Sequence, residues 1–140
     1  MAELEFAILA EYARLEPGSG LLTLAGGGFD RVTAPTLPVV LQVAYAVRVS
    51  LGAQDELGAD LVVVVESPHE EPILRVVGHF DKPDNPVIVD GKIGVTTVAP
   101  LVMLLQAAGT YRVRLLVDGT EERARAFEVV SLTPPADAAV

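Results

Sequence analysis

The chain has 140 residues, a net charge of −9 and an apolar share of 51%, with no cysteine and no tryptophan. That length holds one domain with a core of its own, and so apolar a composition argues against disorder across the bulk of the chain. The missing cysteine excludes a disulfide framework, a thiolate nucleophile and a cysteine-ligated zinc, and the negative balance weighs against nucleic acid and anionic membrane surfaces as partners.

Met1-Ala2-Glu3-Leu4-Glu5 opens acidic, whereas a secretory signal opens basic ahead of an apolar stretch. The longest apolar runs, Leu61 to Val65 and Val98 to Leu105 with Pro100 inside, fall far short of the roughly 20 residues that cross a bilayer. A soluble, cytoplasmic protein with no membrane partner is expected. Gly and Pro punctuate the chain at short intervals, and 22 valines fill the segments between them. Branching at Cβ disfavours helix and suits a pleated surface, so the pattern predicts many short strands in a sandwich or barrel.

The first predicted strand runs from Leu4 to Arg14, although its Ala, Glu and Leu also suit a helix. Leu21 to Ala25 is a short second strand, broken by Gly26-Gly27-Gly28. Val39 to Leu51 alternates well: Leu41, Val43, Tyr45, Val47 and Val49 face one way, and Gln42, Ala44, Ala46, Arg48 and Ser50 the other. Leu61 to Glu66 is apolar without a break, and Ile73 to Phe80 comes after the acidic loop at His69-Glu70-Glu71. Lys92 to Gln106 reads as a strand interrupted at Pro100. Tyr111 to Val117 and Arg123 to Leu132 form a terminal hairpin through Asp118-Gly119, a pair that supplies the positive φ angles of a two-residue turn. Tyr111, two residues after Gly109, has the placement of the tyrosine corner of Greek-key sandwiches. Residues 1–132 are expected to form one β-sandwich domain, with 133–140 a flexible Pro/Ala-rich tail.

Three elements carry a family resemblance. They are Phe6-Ala7-Ile8-Leu9-Ala10-Glu11-Tyr12-Ala13, then Gly20 to Asp30 with Pro35 and Pro38 beyond it, and near the end Gly109 to Val113, Val117-Asp118-Gly119 and Phe127 to Val130. With these the chain resembles an uncharacterised bacterial β-sandwich family, a domain of unknown function with immunoglobulin-like character. The resemblance implies an all-β, immunoglobulin-like antiparallel β-sandwich of about seven to nine strands. It brings no assigned activity, and so no functional residues. One departure is visible: relatives usually run polar before the Gly-x-Tyr corner, where this chain has Ala99-Pro100-Leu101-Val102-Met103-Leu104-Leu105.

No catalytic constellation emerges. Gly26-Gly27-Gly28 lacks the adjoining helix and lysine of a phosphate loop and reads as a bend between strands. The four serines sit in no nucleophile elbow, and Ser67-Pro68-His69 gives no triad by itself. Glu70-Glu71 and Glu121-Glu122 are adjacent pairs, which a strand sends to opposite faces. His79 with Asp81 and Asp84 offers oxygens of the kind calcium takes, but the spacing fits no EF-hand. A small-ligand or metal-binding role for the Asp81–Asp90 loop is the alternative reading, and no metal or cofactor is expected. Arg112, Arg114, Arg123 and Arg125 could serve an anionic partner, against the simpler picture of a solvated outer face paired with Glu121, Glu122 and Glu128.

Both faces of several strands are apolar. Ala44 and Ala46 lie opposite the Val43/Tyr45/Val47 face, Val62 and Val64 opposite Leu61/Val63/Val65, and Leu116 opposite Leu115 and Val117. A strand apolar on both faces normally has a cover on each. These five residues, Ala44, Ala46, Val62, Val64 and Leu116, are therefore the candidate self-association surface. The expected function is a non-enzymatic structural or protein-interaction module, a homo-oligomer or the binder of a protein partner, unless loops, or Leu4 to Arg14 if it proves helical, fold over that face.

Overall fold

The computed structural model describes residues 2–54 and 58–132 and shows two packed β-sheets with no helix among them. One sheet has the order β2-β1-β4-β7, where β1 is Glu3–Leu15, β2 Leu22–Gly27, β4 Val39–Gly52 and β7 Lys92–Leu105. The other has the order β3-β9-β8-β5-β6, with β3 Arg31–Ala34, β5 Ala59–Glu66, β6 Pro72–Phe80, β8 Gly109–Val117 and β9 Thr120–Ser131. The expectation of a flexible tail at 133–140 lies outside the described residues.

The segment from Leu4 to Arg14 is a strand. Its Leu9 and Ala7 pair with Tyr45 and Val47 of β4, and the core those residues share is what overrides the helix-prone Ala and Glu. A helical cover over either sheet is thereby excluded for this segment. Period-two burial decides the rest: Val43, Tyr45, Val47, Val49 and Leu51 of β4 meet Leu61, Val63 and Val65 of β5 between the sheets. Tyr111 stacks on Phe127 with ring centroids 5.5 Å apart, and Phe29 meets Phe127 edge-on at 5.9 Å.

Two features differ from the sequence expectation. β7 runs unbroken through Pro100, which stands opposite Ala44. As the end strand of its sheet β7 has outward N–H positions that enter no ladder, and there a proline removes no ladder bond. Secondly, Arg31–Ala34 forms β3, parallel to β9 with Arg31 opposite Glu128. It is the one parallel pairing among the described strands of an otherwise antiparallel fold.

The end of the fold matches its sequence signals. Asp118 (φ 50°) and Gly119 (φ 80°) occupy the two turn positions of the β8–β9 hairpin, between Val117 and Thr120. Tyr111, Val113, Leu115 and Val117 all face the core. Tyr111 Oη donates to Ala107 O at 2.7 Å, which makes the tyrosine corner a fact of the structure. Gly26-Gly27-Gly28 closes β2 on β1: Gly27 pairs with Ala10, and Gly28 N–H donates to Leu9 O at 2.8 Å. The next element along the chain is strand β3, so this point of the fold has no helix N-terminus of the kind a phosphate loop uses.

Candidate interaction surfaces

The core positions of β1 and β4 fix which residues turn outward. Ala7 and Leu9 face in, so Phe6, Ile8, Ala10 and Tyr12 face out; on β4 the outward row is Val40, Gln42, Ala44, Ala46, Arg48 and Ser50. On β7 it is Thr96, Val98, Pro100, Val102 and Leu104, which stand opposite Arg48, Ala46, Ala44, Gln42 and Val40. Three adjacent strands thus present one apolar surface. No described element lies over it: Tyr12 is 50%, Val40 58%, Val102 52% and Leu104 48% exposed.

Ala44 (7% exposed) and Ala46 (0%) form the floor of this surface. Neither has a described element over it: Ala46 lies between Ile8 and Val98, which stand taller than a methyl group, and Ala44 lies between Ala10 and Pro100. A bulky residue in place of Ala46 would meet those walls. The predicted surface therefore divides in two. Ala44 and Ala46 belong to the outer face of the β2-β1-β4-β7 sheet, whereas Val62, Val64 and Leu116 are half-buried on the outer face of the other sheet, beside Val77. The residues that protrude most on the first face, Tyr12, Val40, Val102 and Leu104, are not among the five. For Val102 and Leu104 the signal was in the sequence, since the run Leu101 to Leu105 is two-faced as well.

Charge is confined to the margins of the first face, and there it is paired. Arg48 Nε donates to Glu5 Oε2 at 2.6 Å, Lys92 Nζ to Glu3 Oε2 at 2.9 Å and Arg14 Nη2 to Glu16 Oε2 at 3.3 Å. The Lys92 ammonium holds the Glu3 carboxyl below the ordinary carboxylate range, and Glu3 holds Lys92 above the ordinary lysine value. Arg48 also reaches Thr96 Oγ1 at 3.0 Å by lying across Gly94, where a Cβ would sit 1.9 Å from its Nη2.

The second outer face is more polar. Arg114 bonds Glu121 and lies 3.9 Å from Glu66, and the Glu121 carboxylate raises its pKa. Arg123 and Arg125 do not join Arg112 and Arg114 there. They stand opposite Leu115 and Val113, two core residues, and so turn inward. The four guanidiniums therefore do not form one cationic patch. A solvated outer face accounts for Arg112 and Arg114 alone.

The other candidate groupings are exposed and self-satisfied. His79 Nδ1 lies 2.8 Å from Asp60 Oδ1 and its Nε2 3.8 Å from Asp81 Oδ1, while Asp84 and Asp90 of the loop are exposed. Among the described residues no group of three or more His, Asp or Glu side chains could hold a metal ion. Ser67, His69 and Glu71 line one groove of about 540 Å³. There the Ser67 hydroxyl accepts from the backbone N–H of His69 at 3.2 Å and of Glu71 at 3.4 Å, which makes it the cap of a turn.

Residues 5–130 match a family described as a family of unknown function, DUF6941. The chain belongs to that family. No curated protein matches the chain in sequence. Among solved structures the chain is similar to the alkylpurine DNA glycosylase AlkC of Pseudomonas fluorescens bound to DNA with an abasic-site analogue, at 8% identity and a TM-score of 0.44. That match covers 89% of this chain but spans only 30% of the glycosylase. No described helix is long and apolar enough to cross a membrane.

Proposed function

We propose that this DUF6941 member is a non-enzymatic, cytoplasmic interaction module that self-associates through the outer face of its four-stranded sheet. The observation that carries the reading is that face itself, apolar across three strands with no described element over it. Three strands about 4.8 Å apart and roughly 13 residues long at about 3.3 Å per residue make a face of about 600 Å². Two copies would bury about 1,200 Å², the lower end of what a stable specific contact needs. The occupant best suited is a second copy. Ala46 between Ile8 and Val98 forms a shallow trough, and the paired charges at the margin leave the face close to neutral in a chain of net charge −9.

Strand placement supports an immunoglobulin-like plan. β4 and β7 share one sheet while β5, β8 and β9 share the other, the partition of the B and E strands from C, F and G, and the tyrosine corner sits at the start of the penultimate strand. Ligand or metal binding by residues 81–90 draws less support, since its carboxylates join no metal-holding group among the described residues.

The test is mass in solution. Light scattering on a sizing column at micromolar concentration is expected to give a dimer for the wild-type chain. A Val102→Glu/Leu104→Glu variant, altered at two half-exposed sites that can take a charge without disturbing the core, is expected to run as a folded monomer. A monomeric wild-type chain, or a variant that keeps the dimer, would sink the reading.

A further inference from the structure

The open side of the sandwich between β1 and β9 holds polar groups that the outer face does not use. β2 takes up β1 from Ala10 to Leu15, and β3 takes up β9 from Glu128 to Ser131. The stretches before these, Glu3–Leu9 of β1 and Thr120–Phe127 of β9, have no strand beside them on this side among the described residues. Val129 and Phe127 point from β9 into the core, and the next two residues in that same inward row are Arg125 and Arg123.

Their donors are only partly used. Arg125 Nη2 donates to Gly28 O and Phe29 O, both at 3.1 Å, and to Asp30 Oδ1 at 2.9 Å, yet its Nε is buried without a partner among the described residues. Arg123 reaches across the gap and makes one long bond, 3.5 Å, from Nη1 to Ala7 O. Tyr45 comes from the opposite sheet. It is fully buried, one ladder step from the Ala7–Val47 pair, and its hydroxyl also lacks a partner among the described residues. Burial raises the Tyr45 pKa, and the Arg123 and Arg125 charges lower it in part, so both guanidiniums act on this hydroxyl.

Leaving two buried polar atoms unmatched in one small region is unfavourable unless something else bonds them. The gap offers a phenolic O–H, a guanidinium Nε–H and a second guanidinium on the solvent side. Carboxylate and phosphate oxygens accept from that set, and arginine's planar fork suits them. Asp30 offsets part of the Arg125 charge, so Arg123 supplies the net attraction. We propose that this gap is a binding site for a small oxyanion, a carboxylate or inorganic phosphate, held by Tyr45, Arg123 and Arg125. The site is independent of the outer face and of any self-association.

The experiment is thermal unfolding in sodium phosphate and in sodium acetate, each against sodium chloride at equal ionic strength. It compares the wild-type chain with Arg123→Gln and Tyr45→Phe. Arg123 is exposed, and Tyr45→Phe keeps the buried ring, so each variant serves if the other fails to fold. A ligand that binds the native state raises the melting temperature in a saturable way. One of the two anions is expected to do so for the wild type, with its apparent Kd at least tenfold weaker in each folded variant. Phosphate alone acting, or acetate alone, names the ligand class. No rise above chloride would overturn the site. So would a rise shared equally by wild type and variants, since exclusion of a kosmotropic salt stabilises any fold.

Discussion

Tyr111 and Tyr45 are both buried, and they treat their hydroxyls in opposite ways. Tyr111 gives its proton to Ala107 O at 2.7 Å, pinning the turn before β8 to the core. Tyr111→Phe removes the donor and strands that carbonyl, so it is expected to cost about 1 kcal/mol in urea-induced unfolding with little change in m value. Tyr45 has no partner among the described residues to lose. Tyr45→Phe, in chloride buffer at neutral pH, is expected to leave stability unchanged or higher by about 1 kcal/mol. The same residue carries a pH dependence. Burial raises its pKa above the ordinary value of 10.0, so the folded chain keeps a proton that the unfolded chain gives up. Above about pH 10 the unfolded state binds fewer protons, and stability falls as pH rises toward the folded-state value. Lys92, whose pKa is also raised, titrates in the same direction from an exposed site. Comparison of wild type with Tyr45→Phe in alkaline denaturant melts isolates the buried phenol: the variant should lose the steeper part of the decline.

Among the strands, the β8–β9 hairpin is the best specified by its own residues. Its turn needs positive φ at two successive positions, and Asp118 and Gly119 supply them at 50° and 80°. The Asp118 carboxylate also accepts from Asp60 N–H at 2.9 Å, fastening the turn to β5. Gly119→Val should cost about 1–3 kcal/mol, because a β-branched residue is strained at that φ although nothing lies within 4 Å of its Cβ. Differential scanning calorimetry would read this as a lower melting temperature with the fold retained. The alternation of β4 and the core row of β8 were legible for a similar reason: a sustained period of two admits few other readings. Three things were not legible, each because its cause lies elsewhere in the chain. Arg31–Ala34 is too short to show a period, and it is a strand through its pairing with Glu128–Ser131. Pro100 stops β7 only if β7 is central, and its edge position is a property of the sheet. The inward turn of Arg123 and Arg125 comes from register against Leu115 and Val113, while charge alone argues for the outside. The outer apolar face was half legible: two-faced strands announced it, but which residues protrude depends on the ladder partners, Ile8 and Val98 beside Ala46 and Ala10 and Pro100 beside Ala44.

At the scale of the whole molecule, the apolar face and the overall charge act against each other, and their balance can be tested. Each copy carries −9, so two copies repel as they approach. The face they would share adds no net charge of its own, since Arg48, Lys92 and Arg14 at its margins are each matched by a glutamate. An interface held by ion pairs between copies weakens as salt screens it. One held by apolar burial between like-charged bodies strengthens, because screening removes the repulsion and leaves the burial in place. Raising salt from about 0.1 to about 1 M shortens the Debye length from roughly 10 to roughly 3 Å. Sedimentation equilibrium is therefore expected to show the dimer tightening severalfold over that range. Val102→Glu/Leu104→Glu should stay monomeric at both ends of it. Dimerisation also stabilises the native state by mass action, so the wild-type melting temperature should climb with protein concentration while that of the variant stays flat. A wild-type dimer that loosened with salt would place the contact on charged groups, and so away from the β1-β4-β7 face.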